Sequence, residues 1–321
     1  MALPVVRFEH TQQPGHTGWG VLFNERIAPL SAQFATTGDL IDHAIPALRA
    51  LTPAEATLPL ASVRLLSPIT TNQQFVCQGI NYASHVRESG MDPTKIPFNT
   101  IFTKASSCLA GPHDDVVRPA HVKLLDYEIE LGLVMKRSLT KARAITPDNL
   151  HEVLAGVTIV NDVSARCVQL PQAQFYKGKS YRSFGPAGPV LLLLDASEWK
   201  RWPELRMRLS VNGQTRQETL CGDMLFAPHQ TLSELSALQD LHAGDLIATG
   251  TPAGCAAKAP GKLVYFVMNH LMSPAAKWKL FIQKGLANPL YLKPGDQMSA
   301  SIRTDDGALD LGEQRNRVVA A

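Results

Sequence analysis

Apolar and polar positions alternate along most of the chain in the way that half-buried strands do. Short apolar runs bounded by turn residues predict strands at Phe75–Gly79, Asp126–Met135, Ala155–Val160, Val190–Leu194, Met207–Val211, Leu246–Thr249 and Met298–Arg303. Asn212-Gly213, behind an apolar run, marks a tight hairpin. Thr231 with Glu234 reads as a capping box that opens a helix running to about Leu241. The LKPGD run at 292–296 reads as a turn before a closing strand. Strands and helices do not alternate regularly, which argues against a doubly wound sheet. The fold class is therefore α+β, β-rich with several helices.

Residues 1–70 read as a small leading unit, with a strand at Trp19–Phe23 and a short amphipathic helix at Leu40–Leu51; residues 71–321 form the main domain. The stretch from Lys262 to Gly285 is dense in Phe, Tyr, Met and Trp and reads as a helical excursion. Large apolar side chains mostly serve packing, so a satellite core or a dimer contact is the preferred role, with a lid or pocket wall as the alternative.

Composition narrows the function. A formal charge of +3, without a run of like charges, does not point to nucleic acid. The five cysteines are scattered and form no CxxC pair, so a zinc ribbon or a disulfide framework is not expected. The N-terminal residues lack the basic and apolar regions of a signal peptide, and no apolar run approaches a membrane span. These features lead to the expectation of a cytoplasmic protein with reduced thiols.

Candidate chemistry begins in LLDYEIELGLV, where Glu128 and Glu130 lie two apart in a predicted strand and so share a face. An edge strand with one wet, acidic face would account for them. Alternatively, two carboxylates on one face supply oxygen to a hard divalent cation, which needs a third. Asp162, at the end of the VTIVND run, is the candidate; a helix N-cap is its other reading, with Ser164 as rival. Oxygen-only ligation suits Mg²⁺ or Mn²⁺ better than zinc.

Three more places could carry chemistry. In GINYASHVRESG, His85 and Glu88 share a helix face as either a solvated surface pair or a water-activating pair. In FYKGKSYRSFG, Lys177 and Lys179 are either solvated or placed to stabilise an enolate. ATGTPAG is a tight turn, or a turn whose Thr251 hydroxyl contacts a ligand carboxylate; it lacks the phosphate-loop pattern.

Taken in order, GINYASH, FTKASSCLAGP, DYEIELGLV, NDVSAR, GKSY, TGTPAG, LKPGD and RNRV resemble the fumarylacetoacetate hydrolase family, from about Pro68 to Val318. The resemblance implies a β-rich roll of mixed sandwich or barrel type with flanking helices, a small N-terminal domain, and a homodimer. It implies Mg²⁺ or Mn²⁺ on Glu128, Glu130 and Asp162. It implies catalytic roles for His85, Glu88 and Lys179, with Arg166, Gln169 and Thr251 near the substrate. The implied activity is hydrolysis of a C–C bond in a 1,3-diketo or 2-oxo acid such as an acylpyruvate, with oxaloacetate decarboxylation or 2-oxo-4-enoate hydration or isomerisation as alternatives on the same site. Two positions depart from the family pattern: Arg182 stands where an Asp is frequent, and Cys167 follows the SAR motif. Gln78 stands where some members carry a fourth acidic ligand, so three carboxylates are expected.

Overall fold

The computed structural model describes residues 1–172, 174–258 and 272–321. Its centre is an eleven-stranded mixed sheet. The strands Ile129–Met135 and Leu154–Asn161 pair antiparallel in its middle, and every residue of both is buried. Such near-continuous apolar runs are what strands covered on both faces require. On one side of Ile129–Met135 lies Leu246–Ala248, which pairs parallel with Phe75–Gly79. A second sheet of five strands includes Arg206–Val211, Gln214–Leu220, Gln297–Arg303 and Asp310–Ala320. Leu209, Met298, Ala300 and Ile302 are among its buried residues, in one cluster with the central strands. The β-rich α+β fold expected from the pattern is the one observed.

The leading unit holds more strand than its pattern predicted. Leu3–His10 pairs with Thr17–Phe23, with Val63–Leu66 and, through Leu3 to Val5, with Leu191–Leu193. The unit is thus hydrogen-bonded into the large sheet. Its helix, Thr37–Ala50, starts three residues earlier than expected because the Thr36 hydroxyl accepts from Asp39 N–H and caps it.

Three local expectations change. The predicted strand Asp126–Met135 is interrupted at Tyr127 and Glu128. There the Glu128 N–H donates to Asn161 Oδ1 and the Ile129 N–H to Gln217 Oε1, so side-chain amides replace ladder partners. The Thr231 capping box does not form: the helix is Pro228–Leu238, and Gln230 Oε1 accepts from Ala227 N–H at its start. Thr231 lies inside that helix, where its hydroxyl accepts from Gln78 and Asn99. The eleven-residue strand Asp310–Ala320 had no sequence signal strong enough to predict it.

Part of the expected aromatic excursion, residues 262–271, lies outside the described residues. The remainder is the helix Pro274–Ala287, where Trp278 and Phe281 stack at 5.3 Å, and Phe281 and Ile282 pack against the core. Gly285 sits so close to Leu124 that a Cβ would meet Leu124 Cδ1 at 2.5 Å. Among the described residues, no helix is long and apolar enough to cross a membrane.

Candidate metal centre

Register brings the acidic residues together. Ile129 pairs with Asn161, so Glu128 and Asp162 are neighbours just beyond the ladder, and the Asp162 N–H donates to the Glu128 carbonyl at 2.8 Å. Glu130 is one pleat further along. The three carboxylates are buried, and one oxygen from each lies within 4.8 Å of the others. An exposed acidic strand face is therefore excluded, and so is a helix-capping role for Asp162, whose side chain pairs with lysines.

The surroundings are cationic. Lys179 Nζ donates to Glu128 Oε2 at 2.5 Å and also to Asp162 Oδ2. Arg166 Nη2 donates to Glu128 Oε1, its Nε to Asp126 Oδ2 at 2.8 Å, and its Nη1 to Gln169 Oε1 at 2.9 Å. Lys104 Nζ donates to Asp162 Oδ1 at 2.5 Å and to the Phe184 carbonyl at 2.7 Å, with its side chain fully buried.

Sequence reasoning missed Lys104 and Asp126. Lys104 lay in the FTKASS motif, but nothing local distinguishes it from a solvated lysine. Asp126 accepts from the N–H groups of Ala256 and Ala257 as well as from Arg166, and so fixes the guanidinium.

Four buried carboxylates here, Asp126, Glu128, Glu130 and Asp162, meet three buried cations. The shortfall falls on Glu130. Its Oε2 accepts from Gly250 N–H at 2.8 Å, and no cationic side chain among the described residues pairs with it. Burial, then Asp162 and Glu128, push its carboxyl well above the usual range. Burial also pushes Glu128 up, but Arg166 and Lys179 outweigh it and hold that carboxyl down. An under-neutralised cluster made only of oxygens fits a hard divalent cation.

His85 sits on the short helix Ala83–Glu88, and its Nδ1 is buried without a hydrogen-bond partner. Burial lowers its affinity for a proton more than the Glu128 charge raises it, so the imidazole is neutral at pH 7. Glu88 is not paired with it. The Glu88 carboxylate accepts from Gly254 N–H at 2.8 Å and faces Lys258 Nζ at 3.3 Å. The Thr251 hydroxyl donates to the Ile129 carbonyl and accepts from Gln217 Nε2, so its proton is engaged within the protein.

His85, Glu128, Glu130, Arg166, Gln169, Lys179 and Thr251 all line one cavity of about 80 Å³, together with Phe102 and Phe175. Lys177 and Arg182 are exposed and do not line it. A larger groove of about 1270 Å³ crosses the leading unit, lined by Phe23, Pro59, Leu60 and their neighbours. It contains no cluster of metal-ligating groups among the described residues, so the chemistry belongs to the small cavity.

A family model for the C-terminal region of fumarylacetoacetate hydrolase matches residues 74–319, and an Rv2993c-like N-terminal model matches residues 5–68. The chain belongs to the fumarylacetoacetate hydrolase family. It is 33% identical over 208 residues to the mitochondrial oxaloacetate tautomerase FAHD2A of Bos taurus, a match that covers 64% of each chain. It is 32% identical over 256 residues to oxaloacetate tautomerase Fahd2a of Rattus norvegicus, covering 78% of this chain and 79% of that one. Among solved structures, the fumarylacetoacetate hydrolase of Exiguobacterium antarcticum superposes with a TM-score of 0.70 at 30% identity, covering 99% of this chain and 100% of that one. The family thus joins tautomerases and hydrolases on one fold, and the finer activity has to be argued from the site.

Proposed function

We propose that this chain is a divalent-metal-dependent enzyme that moves a proton on a short 2-oxo acid, with keto–enol interconversion of oxaloacetate as its reaction. The observation that carries this reading is the convergence of His85, Lys179, Glu128 and Glu130 on a single small cavity. Glu128, Glu130 and Asp162 would hold Mg²⁺ or Mn²⁺, which when bound supplies Lewis-acid polarisation of the 2-oxo group.

The rest belongs to the chain's own side chains. His85, neutral at pH 7, accepts the proton from the carbon next to the 2-oxo group. That proton ends on the 2-oxo oxygen, so keto and enol forms interconvert with no water consumed. Lys179 is desolvated, but Asp162 and Glu128 raise its affinity for a proton, so it stays cationic. It stabilises charge developing on oxygen and is not itself a proton donor. Arg166, held by Asp126, and Gln169 position the carboxylate.

Two features favour proton transfer over hydrolysis. Glu88 holds Gly254 and Lys258, so the pair needed to activate water is not assembled. The cavity is far smaller than the roughly 300–1,000 Å³ of sites that enclose larger ligands. The two oxaloacetate tautomerase relatives agree with this reading. C–C hydrolysis is the second reading, favoured by the full-length likeness to a fumarylacetoacetate hydrolase.

The test follows ultraviolet absorbance of enolic oxaloacetate and of an acylpyruvate, using chelator-stripped protein before and after Mg²⁺ or Mn²⁺ is added. Metal-dependent relaxation of the oxaloacetate enol signal without pyruvate release is the expected result. Metal-dependent pyruvate from the acylpyruvate would replace it with the hydrolase reading, and pyruvate from oxaloacetate would make the reaction a decarboxylation.

A further inference from the structure

Ile129 stands between Glu128 and Glu130, and two side chains hold its backbone polar groups. The Ile129 N–H donates to Gln217 Oε1 at 3.0 Å, and the Ile129 carbonyl accepts from the Thr251 hydroxyl at 2.9 Å. Gln217 Nε2 donates to Thr251 Oγ1 at 2.9 Å. The three bonds close a ring that runs in one direction, and both side chains are buried.

The direction of the ring is fixed by chemistry. Gln217 Nε2 also donates to the Pro252 carbonyl at 3.0 Å. That carbonyl can only accept and the Ile129 N–H can only donate, so the amide has one orientation. Thr251 Oγ1 receives the amide N–H, so its own proton goes to Ile129 and none is left for a ligand carboxylate. Bonds in such a buried ring polarise one another, and opening one strands a buried donor or acceptor.

Gln217 reaches this ring from the second sheet by means of a β-bulge. Leu209 pairs with Gln217 and Ser210 with Thr215, which leaves Arg216 as the extra residue. Thr215 is exposed, and strict alternation would expose Gln217 as well. The extra residue turns Gln217 to the inner face beside buried Leu209, and Gln217 is the one buried residue of Gln214–Leu220. Bulges re-aim side chains in this way. The amide is thereby aimed at the break in the central strand.

The ring lies against the carboxylates. Gly250, next to Thr251, donates its N–H to Glu130 Oε2 at 2.8 Å. One turn therefore fixes both the Glu130 carboxylate and the peptide group between the two glutamates. We infer that Gln217 is a positioning residue for the divalent-cation site. Acting through Thr251 and the Ile129 backbone, it sets the spacing of Glu128 and Glu130, although it does not itself line the cavity. The inference rests on the metal-site reading and extends it to a residue of the other sheet.

The test is Mn²⁺ binding by chelator-stripped full-length protein, followed through the paramagnetic resonance of free Mn²⁺, so it does not depend on turnover. Gln217→Met and Thr251→Val each open the ring with little change of shape. Each is expected to weaken Mn²⁺ binding about 10- to 100-fold, the range for losing a group that orients a metal ligand. Thr251→Ser keeps the hydroxyl and should bind as the wild type does. The double variant Gln217→Met/Thr251→Val should lose little more than the weaker single variant, since the ring opens only once. Thr37→Val is the control: it removes a buried hydroxyl bond to the Pro68 carbonyl in the leading unit and should lower the melting temperature alone. Thermal melts in chelator show which variants are folded, and if Gln217→Met is not, the contrast of Val and Ser at Thr251 decides. Unchanged binding in Gln217→Met and Thr251→Val, equal losses for Val and Ser at Thr251, additive losses in the double variant, or an equal loss in Thr37→Val would each overturn the positioning role and leave the metal site standing. A wild type that binds no Mn²⁺ would overturn the metal site, and this role with it.

Discussion

Glu128 and Glu130 face one cavity two residues apart, yet their carboxyl groups are pulled in opposite directions. Arg166 and Lys179 grip Glu128, while Glu130 receives a backbone N–H from Gly250 and no cation. Protonation is favoured at Glu130 and disfavoured at Glu128 for that reason.

Glu130→Gln should therefore separate folding from metal binding. Without metal, the neutral amide removes an uncompensated buried charge, so stability should be unchanged or up by about 1 kcal/mol. Divalent-ion affinity should fall by more than roughly 100-fold, because even outer-shell changes cost about 10- to 100-fold. Thermal melts with chelator and with Mg²⁺ measure both effects. A wild-type melting temperature that Mg²⁺ and Mn²⁺ leave unmoved would count against the metal site.

Lys104 and Asp162 form a fully buried ion pair at 2.5 Å. Lys104→Met strands part of the Asp162 charge and should destabilise the protein by roughly 3–5 kcal/mol. Adding Asp162→Asn should recover most of that loss, since the amide carries no charge to strand. Urea unfolding of the two single variants and the double variant checks this. Additive losses would mean that the pair is not coupled.

His85→Asn should lower kcat by roughly 10²–10⁴ while metal affinity stays near wild type, because the residue transfers a proton and holds no metal. Its pH behaviour follows from burial. The folded protein binds a proton at His85 less readily than the unfolded chain, whose value is near 6.5. The unfolded state therefore takes up more protons as pH falls below 6.5, and this contribution to stability declines there; above 6.5 it is fully present. The acidic limb of kcat/KM should likewise lie below 6.5. A limb above 6.5 would show that another group governs the rate.

Glu88 offers a choice between positioning and catalysis. An amide oxygen can still accept from Gly254 N–H, so Glu88→Gln should leave oxaloacetate tautomerisation within a few-fold of wild type. Glu88→Ala loses that acceptor and should raise KM more than it lowers kcat. Equal large losses of kcat in both variants would make Glu88 a partner of the catalytic base instead.

Much of this site was legible from local pattern. The period of two placed Glu128 and Glu130 on one face, and the order of motifs pointed to Asp162, His85, Lys179, Arg166 and Gln169, all but Asp162 lining the cavity and Asp162 within reach of both glutamates. The partners of these residues were not legible. The HxxE spacing suggested that Glu88 serves His85, but helical spacing gives only proximity, and the Gly254 N–H competes for the carboxylate. Likewise Thr231 with Glu234 had the spacing of a cap, but the Gln78 and Asn99 amides require the Thr231 hydroxyl inside the helix.

The sequence by itself determined the β-rich class, the central strands and the shared face of Glu128 and Glu130, because alternation and turn residues are properties of neighbours along the chain. Only the tertiary structure decided how their charge is balanced. Lys104 reaches Asp162 across 58 residues, and Gly250 reaches Glu130 across 120. Strand register and the crossovers of the large sheet set these meetings, and register is a relation between distant segments that no single segment encodes.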